Sequence, residues 1–452
     1  MIGNNPTPAA SMRSAAIYDR AVKVLPGGCS RNAILRKPHP FYAVRASGFT
    51  VIDVDGVERI DFANNMTSQI HGHADPRITA AVADQIGKGT AFSFGTEIEV
   101  DYAEHLISRS ASFEKIRFLN SGTEAIMACL KAARAFTGRP KIAKVEGAYH
   151  GLYDYAEVSQ TAKPGNWGTV DHPNSSAVSF GTPQSVLDDV VVIPFNDPAR
   201  ALTLLDAHLD QIACILIDPM PHRAGVIPAT EDFIVALRDW ATRNGALLVF
   251  DEVITLRSAY GGAQDWYPVS PDLTAMGKMI GGGFPVGALA GRGDVMAVMD
   301  PNAGKLLFPH SGTFSANPVT MTAGLVAMKA FDRDAVDTLN GLADYAHAVV
   351  GEAISIADVP CCVTGRGSMF KLHFRPQAPT TYREAYVSQQ ESAVVERFLN
   401  LMFDDGIILI NSCSATLSTP MTKSTVDRLA EAVTQALKTV ADDIYALADN
   451  RG

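Results

Sequence analysis

Residues 246–257 read ALLVFDEVITLR and residues 271–292 read PDLTAMGKMIGGGFPVGALAGR. These two stretches decide the fold. ALLVF, at 246–250, and the run around 286–290 (PVGALAG) are almost wholly apolar rather than alternating. Strands covered on both faces read this way. The same character recurs at 142–145 (KIAKV), 190–193 (VVVIPF) and 212–217 (QIACILID). Helical patterns lie between the runs: 124–137 (EAIMACLKAARAFT), closed by Gly138, and 229–243, closed by Asn244-Gly245. Strands alternating with helices predict an α/β fold, with a mostly parallel sheet flanked by helices.

Open parallel sheets bind ligands outside the carboxyl ends of their strands, so the residues that follow each strand come next. After IRFLN stands Ser121-Gly122-Thr123, with a helix from Glu124. The small residues leave N–H groups free to meet an anion at a helix N-terminus; the alternative is a simple N-cap with Thr123 as the capping residue. After ALLVF stands Asp251-Glu252-Val253. A buried strand-end carboxylate is costly unless paired, either with a cationic group on a ligand or with a neighbouring loop. After LTAMG stands Lys278, with Gly281-Gly282-Gly283 close behind. Apolar flanks desolvate an amine and make it a nucleophile; the alternative is a stem that covers the core while its head reaches water. Together the three match one cofactor. Pyridoxal phosphate needs N–H donors for its phosphate, an amine for its aldehyde, and a carboxylate for its ring nitrogen.

Outside these stretches the chain is ordinary globular material. Of 452 residues, 47% are hydrophobic and 19% charged, enough for a large core. That balance excludes a disordered chain, a coiled coil or a collagen-like repeat. The net charge of -10 argues against nucleic acid as a partner. No apolar run approaches the ~18 residues of a membrane span. The start, MIGNNPTPAASMRSAAIYDR, lacks an apolar signal core. Six cysteines, including the adjacent Cys361 and Cys362, form no C-x-x-C pair. They read as mostly buried, reduced thiols in a cytoplasmic protein. A stretch rich in Gly, Pro, Ser and Asn, 161–187, reads as a long surface loop. AVRASGFTVIDVDG reads as a hairpin turning at Asp55-Gly56. Residues 334–357, KLHF, a long helix, IILI and an amphipathic helix at 422–447 make a separate α+β lobe. The expected division is 1–65 as an N-terminal part of a small domain, 66–328 as the large cofactor-binding domain, and 329–452 as the rest of the small domain.

The sequence resembles the class III aminotransferases, pyridoxal-phosphate enzymes of fold type I, and especially the branch containing glutamate-1-semialdehyde 2,1-aminomutase. The matching stretches are PGG (26–28), VDGVERIDF (54–62), HGHADP (71–76), FLNSGTEA (118–125), GAYHG (147–151), LLVFDEV (247–253), 271–292 and HSGTFSANP (310–318). The resemblance implies that Lys278 holds the cofactor as a Schiff base and then moves the substrate proton. It implies that Asp251 pairs with the pyridine nitrogen and that Ser121, Gly122 and Thr123 bind the phosphate. Tyr149 would stack on the ring, with Val253 on the other face. Thr313 would reach the phosphate of a neighbouring subunit, making a homodimer with interfacial sites. His150 would be a buried, supporting residue.

Departures from the pattern bear on the substrate. The mutase-type D-E-V-x-T-G-F-R is one residue shorter here, Asp251 to Arg257, as in β-amino-acid (β-phenylalanine) aminotransferases. The mutase's C-terminal glutamate has no counterpart in Asn411-Ser412-Cys413-Ser414-Ala415-Thr416, and the β-amino-acid enzymes' arginine falls on Ser412. Their other carboxylate-binding arginine matches Arg31, with Arg36 a second candidate. A substrate carboxylate held by a guanidinium, and a second pocket that is small and polar rather than cationic, are the expectations. Asp218-Pro219 stands where the family often has Glu-Pro, and His222 and Arg223 follow near the cofactor edge. The expected activity is a ping-pong transaminase of amino and keto acids, β-amino acids among them, with an intramolecular aminomutase as the alternative. Retention of Lys278 argues against a binding protein without turnover. The lack of G-x-G-x-x-G at a strand–helix junction argues against a dehydrogenase.

Overall fold

The computed structural model describes residues 12–449. Residues 1–11, on which the reading of the start and the first part of the 1–65 segment fall, and residues 450–452 lie outside the described residues. A seven-stranded sheet organises the middle of the chain. In spatial order its strands are Lys115–Leu119, Gly287–Gly291, Leu273–Gly277, Leu247–Asp251, Ile212–Ile217, Lys141–Val145 and Val190–Ile193. All run parallel except Gly287–Gly291, which is antiparallel to both neighbours. The short connection from Gly277 to Gly287 holds a 3₁₀ turn but no crossover helix, and a parallel return needs a dozen residues or more. The expected α/β sheet is therefore present, with one strand reversed.

Each face of the sheet is covered. Helix Gly122–Thr137 lays Ala125, Ala128, Cys129 and Ala132 against Leu216, Val249, Ala275 and Leu289. These small residues let the helix sit close to the strands. On the opposite face Phe233, Leu237 and Trp240 of helix Glu231–Asn244 pack on Ile215, Leu248 and Phe250. Each such large side chain contributes roughly 1.5–3 kcal/mol of burial. Gly138 and Gly245 close the two helices in the left-handed conformation, as the sequence signals require.

The chain ends share a second sheet. Strands Ala43–Ser47, Thr50–Asp53 and Glu58–Asp61 are joined by Ile407–Ile408, which pairs parallel with Glu58–Asp61. A three-stranded antiparallel sheet, Cys362–Arg366, Met369–His373 and Ser414–Thr416, lies in the C-terminal lobe. Three local expectations shift. The first hairpin turns at Gly48-Phe49, while Asp55-Gly56 turns the next one. The final helix breaks at Val440 into Lys423–Thr439 and Ala441–Asp449. The 161–187 loop ends in a short helix, Gln184–Asp188. Among the described residues no helix is long and apolar enough to cross a membrane.

Candidate active site

Three strand ends meet at one place. Helix Gly122–Thr137 begins where strand Lys115–Leu119 stops. Ser121 is its N-cap, in extended backbone, and its Oγ accepts the Glu124 N–H at 3.1 Å. The cap is thus Ser121 and not the expected Thr123, because the helix starts earlier, at Gly122. It does not exclude the anion reading, because the Ser121 O–H remains a donor and first-turn N–H groups have no intrahelical acceptor. A Cβ on Gly122 would stand 3.0 Å from Val253 Cγ1. A Cβ on Gly277 would stand 3.3 Å from the same atom and 3.5 Å from Gly122 Cα. The helix start, Val253 and the residue before Lys278 thus touch. Gly287 carries no side chain for a related reason: a Cβ there would lie 2.0 Å from Ser121 O.

Asp251 ends its strand, buried. Its Oδ1 accepts the Val253 N–H at 3.0 Å, and its Oδ2 lies 2.7 Å from His150 Nδ1. Burial pushes the His150 pKa down, against the pull of Asp251. The neutral ring then carries its proton on Nδ1 to serve the carboxylate, and His150 Nε2 is buried without a partner among the described residues. On the next strand end, Asp218 Oδ1 accepts the Met220 N–H at 2.9 Å. Burial first, and the charge of Asp251 second, hold Asp218 well above the usual carboxylate range.

Lys278 follows strand Leu273–Gly277 in the left-handed region, φ 50°. It is half-buried. Burial lowers its pKa, opposed by Asp251 and then Asp218. The strands that end at Asp251 and Gly277 are neighbours, so Lys278 follows the strand end adjoining that of Asp251, and the charges of both carboxylates reach its amine.

The other expected residues divide. Tyr149 adjoins His150 but is 42% exposed, with the Arg223 guanidinium 5.2 Å from its ring centroid. Thr313 is exposed, and among the described residues no hydrogen bond joins it to Ser121–Thr123. Arg31 is exposed and donates to Asn65 Oδ1 at 2.7 Å. Arg36 is occupied elsewhere: it donates to Asn400 Oδ1 at 2.8 Å and Leu399 O at 3.2 Å, and stacks over Phe403. Burial takes its pKa to about 10. Of the two arginines, Arg31 is the one left open.

Sequence reading passed over two buried groups. Glu252 accepts N–H bonds from Ala263 and Gln264 and the Thr255 O–H, yet burial still lifts it to about 7. Arg257 is fully buried without a carboxylate partner. It donates to Ser368 Oγ, Thr67 O and Leu417 O, fastening the site's floor to the C-terminal lobe. Both lie in the quoted motif, but their partners come from distant segments.

These residues fit pyridoxal phosphate: a helix start with first-turn N–H groups for a phosphate, a buried carboxylate backed by a histidine, and a half-buried lysine. The family model for aminotransferase class III matches residues 33–440. The chain belongs to the class III aminotransferases. Their cofactor, pyridoxal phosphate, is the cofactor here, and the activity is that of an aminotransferase. A solved ω-transaminase from Sphaerobacter thermophilus is 46% identical, covering 96% of this chain and 98% of that one, with a TM-score of 0.93. A β-phenylalanine aminotransferase from Variovorax paradoxus is 31% identical over 96% of this chain and 95% of that one, TM-score 0.86. Glutamate-1-semialdehyde 2,1-aminomutase from Methanothermobacter thermautotrophicus is 38% identical over 88% of this chain and 92% of that one.

Proposed function

We propose that this aminotransferase carries amino groups between amino acids, β-amino acids among them, and keto acids, using Lys278 and Asp251 as its central pair. The observation that carries the reading is Asp251, buried at its strand end and backed by His150 at 2.7 Å, with Lys278 following the end of the adjoining strand. When bound, pyridoxal phosphate supplies an electron sink for the bond broken at the substrate carbon. Lys278 would hold it, and the same Nζ would take and return the substrate proton. Its lowered pKa suits an amine that must shed its own proton near neutrality. Asp251 holds the ring nitrogen, and His150 keeps that carboxylate in line. Ser121, Gly122 and Thr123 grip the phosphate. Tyr149 covers one ring face and Val253 the other. Arg31 takes a substrate carboxylate.

A homodimer completes the site in this reading, with Thr313 reaching the partner's phosphate. Phe94 is 86% exposed and Phe314, beside Thr313, 59% exposed; such apolar groups suit an interface. The protein is read as cytoplasmic, acting on small molecules without nucleic acid. Burial raises the thiol pKa of Cys129, Cys214 and Cys413, as expected of inert reduced cysteines.

The 38% identity to an aminomutase favours a second reading, intramolecular transfer. Residues 411–416 offer no carboxylate for a second amino group, which weighs against it. The test incubates the holoenzyme with alanine, glutamate or β-phenylalanine singly and assays the keto acid released. Stoichiometric release, followed by turnover with pyruvate or 2-oxoglutarate, supports the transaminase. Conversion of a single diamino or amino-aldehyde compound without release of a keto acid overturns it.

A further inference from the structure

Lys371 lies in strand Met369–His373 and is 6% exposed. Its neighbours fix the direction of its side chain. Alternate residues of a strand share a face. Met369 packs on Met220 and Val226, and His373 Nε2 lies 3.1 Å from Gly225 O. Lys371, between them, therefore faces the 220–226 segment that leads away from Asp218. Across the sheet it is paired with Ser414, on the same face. Ser414 Oγ lies 2.9 Å from Ser412 Oγ, which lies 2.9 Å from His222 Nε2. His222 is pushed down to about 3, by burial first, then by the charge of Lys371 and then by that of Lys278. A line of polar groups thus runs from Lys371 past two serines to a neutral histidine, His222, on the segment that follows Asp218.

Lys371 has no hydrogen bond or ion pair from its Nζ to any described residue. Burial lowers the Lys371 pKa, opposed by Cys413 and then by Glu391, whose carboxylate is engaged by Arg375 at 3.3 Å. The lysine borders a cavity of about 670 Å³ that also has Ser412, Asn411 and His373 in its wall. A buried ammonium left without a counter-charge is costly. The cost is recovered when an anion enters.

We infer that Lys371, with the hydroxyls of Ser412 and Ser414, forms an anion subsite that receives a second carboxylate of the substrate. The preferred class is then dicarboxylic amino and keto acids, with one carboxylate at Arg31 and the other at Lys371. In this inference the second pocket adds a cation to its small polar residues. This rests on the transaminase reading and names the substrate class of that same site.

The test uses the holoenzyme and its Lys371→Met and Lys371→Arg variants. Glutarate and pentanoate binding are measured by calorimetry. In parallel, kcat/KM is measured for 2-oxoglutarate against 2-oxopentanoate. The wild type is expected to prefer the dicarboxylate in each pair by about tenfold or more, the worth of one charge-assisted bond. Lys371→Met should remove that preference and leave the monocarboxylates within about twofold, while Lys371→Arg keeps part of it. No preference in the wild type, or an equal loss for both members of a pair, overturns the subsite. If the methionine variant does not fold, Ser412→Ala in the same binding assay decides: a narrowed glutarate preference supports the subsite and an unchanged one overturns it. The binding arm stands apart from turnover. A wild type that binds glutarate tightly but consumes no amino donor would refute the transaminase reading while leaving the subsite intact.

Discussion

His150 Nδ1 stands 2.7 Å from Asp251 Oδ2, with both side chains closed off from solvent. The histidine is the one side-chain donor to a carboxylate that must keep its direction. Removing a donor to a charged group costs roughly 1.5–3 kcal/mol, or about 10–100-fold. His150→Ala should therefore weaken cofactor retention by that factor, read as the rate at which visible absorbance is lost on dialysis. His150→Asn, which restores an N–H, should recover part of it. Equal retention in wild type and alanine variant would remove the histidine from the site.

Lys278 combines a covalent role with a left-handed backbone, φ 50°. Lys278→Ala should abolish turnover and the visible absorbance of the lysine-bound cofactor while leaving a folded protein. A second, independent effect follows from the backbone. Side chains with a Cβ lose roughly 1–2 kcal/mol in this region and glycine does not. Apo Lys278→Gly should therefore be more stable than apo Lys278→Ala by about 1 kcal/mol in urea unfolding. A more stable alanine variant would contradict the assigned backbone.

Much of this site was legible because its residues follow strands directly. Asp251 and Lys278 stand at carboxyl ends of apolar runs, and Ser121 opens a helix that Gly138 closes. Those signals are local, and local periodicity reports them. Lys371 was not legible, because nothing near it in sequence marks it. Its meaning comes from its pairing with Ser414 and from the 220–226 segment, both far along the chain. Arg36 stood as a second candidate behind Arg31 for the same reason. Only the approach of Asn400 and Phe403 separates them. The reversed strand Gly287–Gly291 was read correctly as a strand but not as antiparallel, since direction depends on the connection and not on composition.

The two arginines give opposite expectations. Arg31→Ala should raise KM for amino acids about tenfold or more, and leave simple amines within about twofold. Arg36→Ala should instead lower stability, because it strips a guanidinium from Asn400, Leu399 and Phe403. Its loss of aromatic contact and hydrogen bonds should amount to ~2 kcal/mol in urea unfolding. A KM effect at Arg36 with none at Arg31 would exchange their roles.

Gly122 tests the ring-face contact. A methyl group there would meet Val253 Cγ1 at 3.0 Å and Cγ2 at 3.1 Å, so Val253 must shift by a few tenths of an ångström. Helix propensity alone would make Gly122→Ala neutral or slightly stabilising. The expected result is therefore near-normal folding with cofactor affinity lowered several-fold. Combining it with Val253→Ala, which vacates the space but gives up part of the ring-face contact, should cost less than the two single losses summed. An additive loss in the double variant would mean that Gly122 and Val253 do not act through each other.

His373 sets a pH dependence. Its Nε2 lies 2.8 Å from Thr364 Oγ1 and 3.1 Å from Gly225 O. Burial, and then the charge of Lys371, bring its pKa from the ordinary 6.5 down to about 3. Above pH 6.5 both folded and unfolded chains hold it neutral, and stability is full. Between 6.5 and about 3 the unfolded chain takes up a proton that the folded one refuses, so stability falls as the pH drops. One proton corresponds to about 1.4 kcal/mol per pH unit. His373→Gln keeps an N–H toward Gly225 and titrates nowhere in this range. Urea unfolding between pH 6 and 4 should therefore show a slope shallower by nearly that amount. Because His222 is depressed to a similar value, some acid sensitivity must persist in the variant. A variant slope equal to that of the wild type would mean that His373 already takes up its proton in the folded state.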